Sequence, residues 1–207
     1  MAVLGSSESV ALVAAKDIYE RGGIEKTLPL NSSDHALLGE FVQEYGWADL
    51  NMRRLLNIFY SIKGDEQSEK VARLNDADVF FHLEKQVSEF GKCDELAMKH
   101  SLPDMLAGIG KAINSLKADR NIRHLFAHWC TRRIMGVDAF VMLTANASDA
   151  ARRGISNVGE NNLGHAIISV PDVRGALSNI RGHGDYLACL MPLLTGYRDV
   201  SKVSSGC

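Results

Sequence analysis

Between residues 41 and 62, apolar side chains recur at alternating steps of four and three: Phe41, Tyr45, Ala48, Met52, Leu55, Phe59 and Ile62. That rhythm places them on one narrow stripe of a single long α-helix, because 3.6 residues make a turn. A half-buried strand would alternate with a period of two instead. The helix opens at Asn31-Ser32-Ser33, residues suited to capping unsatisfied N–H groups, and closes near Lys63-Gly64-Asp65. A stripe this straight must be covered by other helices, as in antiparallel bundles.

Three further segments supply candidates. From Asp76 to His100, Phe80, Leu83, Val87 and Phe90 keep the same rhythm, with Gly91 as a point of bending or interruption. Ser101-Leu102-Pro103-Asp104 then opens a third helix: serine caps, proline suits the first turn, and aspartate favours the positive end of the dipole. Its stripe runs Leu102, Leu106, Ile109, Ile113 and Leu116, and by extrapolation passes through Arg120, Arg123 and Ala127. Ser169-Val170-Pro171-Asp172 repeats the opening signal before Val173, Leu177, Ile180, Gly184, Leu187, Met191 and Leu194. A glycine on that buried face permits close helix approach, at about 1 kcal/mol of helix propensity.

The period changes after Trp129. Cys130 to Met135 and Val137 to Thr144 read as two strands around Gly136. Ala145 to Gly154 reads as a small-residue loop ending in Arg152-Arg153, and residues 155–158 and 165–169 as a second strand pair around a Gly- and Asn-rich turn. The fold class expected is therefore mainly α: an up-and-down antiparallel four-helix bundle with a small β-hairpin insertion before the last helix. Residues 1–32 form an N-terminal extension with a short helix in Glu8 to Glu20, residues 33–196 the bundle with its insertion at about 130–169, and 197–207 a flexible tail.

Lys+Arg 23 against Asp+Glu 25 excludes a uniformly basic nucleic-acid binder, though not a local basic patch. Cys93, Cys130, Cys189 and Cys207 form no Cys-x-x-Cys pair and no secreted disulfide framework. The apolar start of the chain has no basic segment before it and is interrupted by Glu8, and no stretch reaches membrane-spanning length, so a soluble cytoplasmic protein is expected. Cys130 and Cys189 are expected to be buried.

Chemistry concentrates in Arg120-Asn121-Ile122-Arg123-His124-Leu125-Phe126-Ala127-His128-Trp129. Arg120 and Arg123 fall on the extrapolated core-facing line, where arginine is rare unless paired or bound to an anion. His124 and His128, four apart, share a helical face. Arg123 and His128, five apart, lie roughly 140° around an ideal helix, so their convergence needs arginine's reach, a distorted helix end or a partner subunit. A guanidinium can hold a phosphate by two parallel hydrogen bonds, and an imidazole can exchange a proton near neutral pH. RNA carries its own nucleophile, the 2′-hydroxyl, so such a site needs no metal. The competing structural reading is an arginine paired to a core carboxylate and a histidine bonded to backbone.

With its helical context, Arg123-His124-Leu125-Phe126-Ala127-His128 resembles the Arg-x4–6-His motif of the HEPN superfamily, the higher eukaryote and prokaryote nucleotide-binding domains. A motif late in the third long helix and a β insertion before the closing helix are similar too, over roughly residues 33 to 196. The resemblance implies a homodimer with the two motif helices facing each other across a cleft. It implies metal-independent endoribonuclease activity without a cofactor, often in toxins or defence effectors kept in check by an antitoxin. Arg123 would orient the scissile phosphate and His128 would be the general acid/base. His124 stands where the family often has asparagine or aspartate. A second implied reading is a catalytically silent dimeric bundle that binds a nucleotide, RNA or a partner protein.

Residues 34–100 hold thirteen acidic and eight basic residues, whereas residues 120–158 hold six arginines against Asp138 and Asp149. Arg120, His124, Arg132 and Arg133 are therefore candidates for phosphate or RNA contacts. Trp129 and Phe126 would stack on bases or, more commonly for helical aromatics, pack. His124 and His128 have the spacing of a helical zinc pair but lack a third ligand and the glutamate of His-Glu-x-x-His, so no metal is expected. Gly182-His183-Gly184 reads as a helix irregularity, and Met52-Arg53-Arg54 as a polar helix edge.

Overall fold

The computed structural model describes residues 2–4, 10–65, 67–91, 102–155 and 163–204. The chain is mainly helical with a small sheet. In order it runs β1 (Ala2–Leu4), α1 (Val10–Gly22), a 3-10 turn (Gly23–Lys26), β2 (Thr27–Leu28), α2 (Ser32–Ile62), α3 (Ser68–Arg73) and α4 (Asp76–Phe90). Then come α5 (Leu102–His128), β3 (Cys130–Ile134), β4 (Ala139–Thr144), α6 (Ala147–Arg152), β5 (Gly164–Ser169) and α7 (Val170–Ser204). Among the described residues no helix is long and apolar enough to cross a membrane. The chain divides into two compact units, one of residues 1–43 with 119–178 and the other of 44–118 with 179–207.

Helix starts follow the capping signals. The Asn31 carboxamide oxygen accepts the Asp34 N–H (2.9 Å), and the Asp34 carboxylate accepts the Asn31 N–H in return (3.0 Å). This reciprocal arrangement satisfies two N–H groups that the first turn leaves over. Ser169 Oγ likewise accepts the Asp172 N–H at the start of α7. α4 ends at Phe90 with Gly91 as its C-cap; the rest of the expected helix, residues 92–100, lies outside the described residues.

In the unit of residues 44–118 and 179–207 the stripes predict burial well. Tyr45, Ala48, Met52, Leu55 and Phe59 are buried, as are Phe80, Leu83 and Phe90, Ile109, Ile113 and Leu116, and Leu187, Met191 and Leu194. The Phe59 and Phe90 rings lie 4.9 Å apart, and the Tyr45 hydroxyl donates to the Leu116 carbonyl at 3.3 Å. Gly184 is buried, and a Cβ built there would sit 3.4 Å from the Ala48 Cβ, so the glycine does mark a close helix approach. The helix continues unbroken through Gly182-His183-Gly184, so the irregularity expected there is absent. Arg53 is structural, pairing with Asp49 and donating to the Val71 and Leu74 carbonyls at the end of α3.

The other unit holds a five-stranded sheet of order β1-β5-β4-β3-β2. β2 to β5 pair antiparallel, and β1 joins parallel to β5. Gly136, at φ +74°, makes the turn between β3 and β4, a left-handed conformation that glycine adopts without strain. On one face, Leu12, Ala15 and Tyr19 of α1 pack with Ile134, Ala139, Val141, Leu143 and Ile167. Phe140 points to the other face, its ring 6.4 Å from that of Phe126. Burial on both faces explains why β4 reads as a continuous apolar run rather than an alternation.

Four expectations change here. The Ala145–Gly154 loop contains α6, capped by Asn146, whose carboxamide oxygen accepts the Asp149 N–H (3.1 Å). β5 pairs with β4 and β1; Ile155 is not in a strand, and residues 156–162 lie outside the described residues. The N-terminal segment supplies two strands and a helix to this sheet, because the paired strands β3 to β5 leave edges that β1 and β2 cover. Cys130 and Cys189 are exposed, since each stands on the outward side of its element rather than in a core.

Candidate functional site

The last three turns of α5 belong to the sheet-bearing unit and bury a different set of residues from the turns before them. Asp119, Leu125 and Trp129 are buried, Arg120 and Arg123 are half-buried, and Ala127 is exposed. This corrects the extrapolated stripe. Extending a stripe assumes unchanged neighbours along the helix, and from Asp119 onward the neighbours are those of the other unit. The Arg123 Nε is nevertheless shielded from solvent.

Four turn-end residues meet around one carboxylate. His124 and His128 stack with ring centres 4.5 Å apart and planes tilted by 48°; His128, the last helical residue, is exposed, and His124 is partly covered. His124 Nε2 lies 3.5 Å from Asp149 Oδ2. The buried indole of Trp129 donates to the same Oδ2 at 2.8 Å. Arg153 Nε and an Arg152 terminal nitrogen face Asp149 Oδ1 at 3.3 and 3.4 Å. Arg153 also donates to the Asn121 carboxamide at 3.1 Å, tying the end of α6 to α5.

These contacts set the titration of the cluster. The indole hydrogen bond, with help from Arg153 and against the cost of burial, brings the Asp149 carboxyl down to about 2. Burial, and then the Arg153 charge, push the His124 imidazole below its ordinary value; Asp149 opposes that shift and His128 adds to it. Asp119 behaves differently: burial raises it to about 6, and its Oδ2 is sealed from solvent with no hydrogen-bond partner among the described residues.

The remaining candidates are dispersed. Arg132 and Arg133 are consecutive on β3 and so point to opposite faces of the sheet. Arg132 Nε donates to Thr27 Oγ1 at 2.8 Å. Arg133 is paired with both Asp34 and Asp138, and its guanidinium lies 5.5 Å from the centre of the Phe140 ring. Phe126 packs edge-to-face on Phe41 at 5.3 Å, and with Trp129 buried both aromatics serve packing. A hollow lined by Gln67, Ser68, Glu69, Lys70, Arg73 and Leu74 belongs to the other unit and gathers none of the motif residues. Among the described residues no group of three or more His, Cys, Asp or Glu side chains is arranged to hold a metal ion.

Asp149 is the member of this cluster to which sequence reasoning gives no role in the site, and Trp129 is read there only as a stacking or packing aromatic. A signal existed: Asn146 and Asp149 stand at the spacing of a helix N-cap and its third residue, which marks a helix start inside the apparent loop. Compared with models of known families, with curated proteins and with solved structures, the chain matches none of them.

Proposed function

We propose that the chain is a HEPN-like, metal-independent endoribonuclease of toxin or defence-effector type, cleaving RNA by attack of the 2′-hydroxyl on the adjacent phosphodiester. The observation that carries this reading is the pair of stacked imidazoles, His124 and His128, at the end of a long helix, the first directly after the half-buried Arg123 and the second five residues beyond it. Arg123 orients the phosphate through paired hydrogen bonds and His128 exchanges the proton. Arg120 and His124 contact the backbone of the RNA, with Arg132 and Arg133 further along it. In this reading the helices over residues 33–196 form an up-and-down antiparallel four-helix bundle, two copies associate with their motifs facing, an antitoxin or regulatory partner restrains the activity, and the protein works in the cytoplasm.

The test is incubation with total RNA in excess chelator. The expected result is cleavage leaving 2′,3′-cyclic phosphate ends, lost in folded Arg123→Ala and His128→Ala proteins. Unchanged cleavage or toxicity in either variant contradicts the assignment. A second reading, a silent bundle that binds nucleotide, RNA or a partner, is favoured by the engagement of Arg132 with Thr27 and of Arg133 with Asp34 and Asp138, which leaves fewer arginines for a phosphate backbone. It is expected to bind RNA without cutting it.

A further inference from the structure

Asp149 is buried, yet donors from two segments, the end of α5 with Trp129 and the end of α6, converge on it. Trp129 and His124 address Oδ2, and Arg152 and Arg153 address Oδ1. An ionised carboxylate has acceptors only. A neutral His124 ring facing it through Nε2 at 3.5 Å is favoured only with the proton on that nitrogen, which leaves the lone pair on Nδ1. The ring itself remains 28% exposed, within reach of a ligand. Two guanidinium groups on the same carboxylate make the surroundings hostile to a metal cation and favourable to an anion.

We propose that Asp149 is a positioning residue that fixes His124 as its Nε2–H tautomer, so that His124 Nδ1 is the general base and His128 the general acid of RNA cleavage. This rests on the ribonuclease reading given above. The 2′-hydroxyl proton passes to His124 Nδ1 as the 2′-oxygen bonds to phosphorus. The bond from phosphorus to the 5′-oxygen breaks, and that oxygen takes a proton from protonated His128. The products are a 2′,3′-cyclic phosphate and a 5′-hydroxyl, and the two histidines return to their starting states by proton exchange with water.

The charges facing His124 are Asp149, Arg153 and His128, with Arg152 behind Asp149. Burial and Arg153 lower the His124 pKa below its ordinary value, which favours the neutral ring that a base needs. Without the negative charge of Asp149, the midpoint of His124 moves lower still. The short α6 holds Asp149 at its third position, so the orienting group is delivered by a segment outside the motif helix.

The experiment combines nitrogen-15 histidine NMR of the whole protein with cleavage kinetics of an RNA oligonucleotide in chelator. In the wild-type protein His124 is expected as the Nε2–H tautomer, and in Asp149→Asn its midpoint falls and its tautomers mix. Cleavage by folded Asp149→Asn is expected to lose about 10²-fold in kcat, within the span of general acid–base effects, with little change in KM and the acid limb of the pH profile moved to lower pH. Trp129→Phe, which removes one donor from Asp149 but leaves His124 facing it, is expected to lose far less. An Nδ1–H tautomer in the wild-type protein overturns the proposal even where the variants fail to fold. Wild-type kcat and pH profile in Asp149→Asn overturn the Asp149 assignment alone. A folded wild-type protein that leaves RNA intact overturns the base assignment together with the ribonuclease reading.

Discussion

The two stretches of α5 carry the main contrast in the molecule. From Leu106 to Leu116 the helix buries Leu106, Ile109, Ala112, Ile113 and Leu116, all apolar. From Asp119 to His128 it buries a carboxylate and one leucine, half-buries two arginines and ends in two stacked histidines. The first stretch is packed like any core, where apolar burial contributes roughly 25 cal/mol per Å². The second keeps polar groups at or below the surface, where burial works against them. A helix that only had to hold the fold together would gain by continuing its apolar stripe. The cost accepted in the last three turns is the physical argument for a site there.

The largest expected effect sharpens the contrast from the polar side. Arg123→Ala and His128→Ala are each expected to lower RNA cleavage by about 10²–10⁴-fold, the span of positioned acid–base and phosphate contacts, while circular dichroism stays that of the parent. The opposite profile is expected in the first stretch. Ile109→Ala removes a fully buried side chain and is expected to cost about 2–5 kcal/mol in denaturant unfolding, with cleavage unaffected in the folded fraction.

Asp119 lies at the junction of the two stretches and is expected to show it through pH. Its folded pKa of about 6 stands above the ordinary carboxyl value of 3.8. The folded state therefore holds a proton that the unfolded state releases between those values. Its favourable contribution is complete below pH 3.8 and is lost as pH rises through 6. Asp119→Asn is expected to stabilise the protein at pH 7 by on the order of 1–2 kcal/mol and hardly at pH 3.5, read by urea unfolding at both values.

His165 carries the reverse sign in the sheet. It is buried on β5, its ring 4.9 Å from that of Tyr19, and burial lowers its pKa below 6.5. The unfolded state takes up the proton first, so this residue's contribution is present above pH 6.5 and is lost as pH falls through the lowered value. His165→Phe is expected to flatten the acid side of the stability profile.

The smallest effect belongs to the helical unit. Gly184→Ala is expected to be neutral or to stabilise by up to about 1 kcal/mol, because the added Cβ makes an ordinary contact with Ala48 and helix propensity improves. Gly184→Leu is expected to destabilise clearly by thermal melt, since only the space of a methyl group is open there.

Periodicity reads α2 and α7 well even though both helices pass from one unit to the other: each stripe member from Phe41 to Phe59 is buried, and so is each from Val173 to Leu194. Capping chemistry placed Asn31 and Ser169 because it acts within four residues. The strands beside Gly136 were legible from the change of period. The misreadings share a cause, distance along the chain. Nothing near β5 says that Ala2 to Leu4 will pair with it, and nothing near Arg133 names Asp34 as its partner. Arg120 and Arg123 were drawn into the core by continuing a stripe past the point where the surroundings change. Asp149 escaped notice because it acts on His124 from a helix of six residues, too short to show a period.

The central claim is that the polar end of α5 performs chemistry on RNA through the 2′-hydroxyl. It is tested most directly by giving the full-length protein, in excess chelator, an oligoribonucleotide and its all-deoxy counterpart of the same sequence. The account predicts that the RNA is cut to fragments with cyclic phosphate ends and that the deoxy strand is left whole. Equal cutting of both strands, or an untouched RNA, would contradict it.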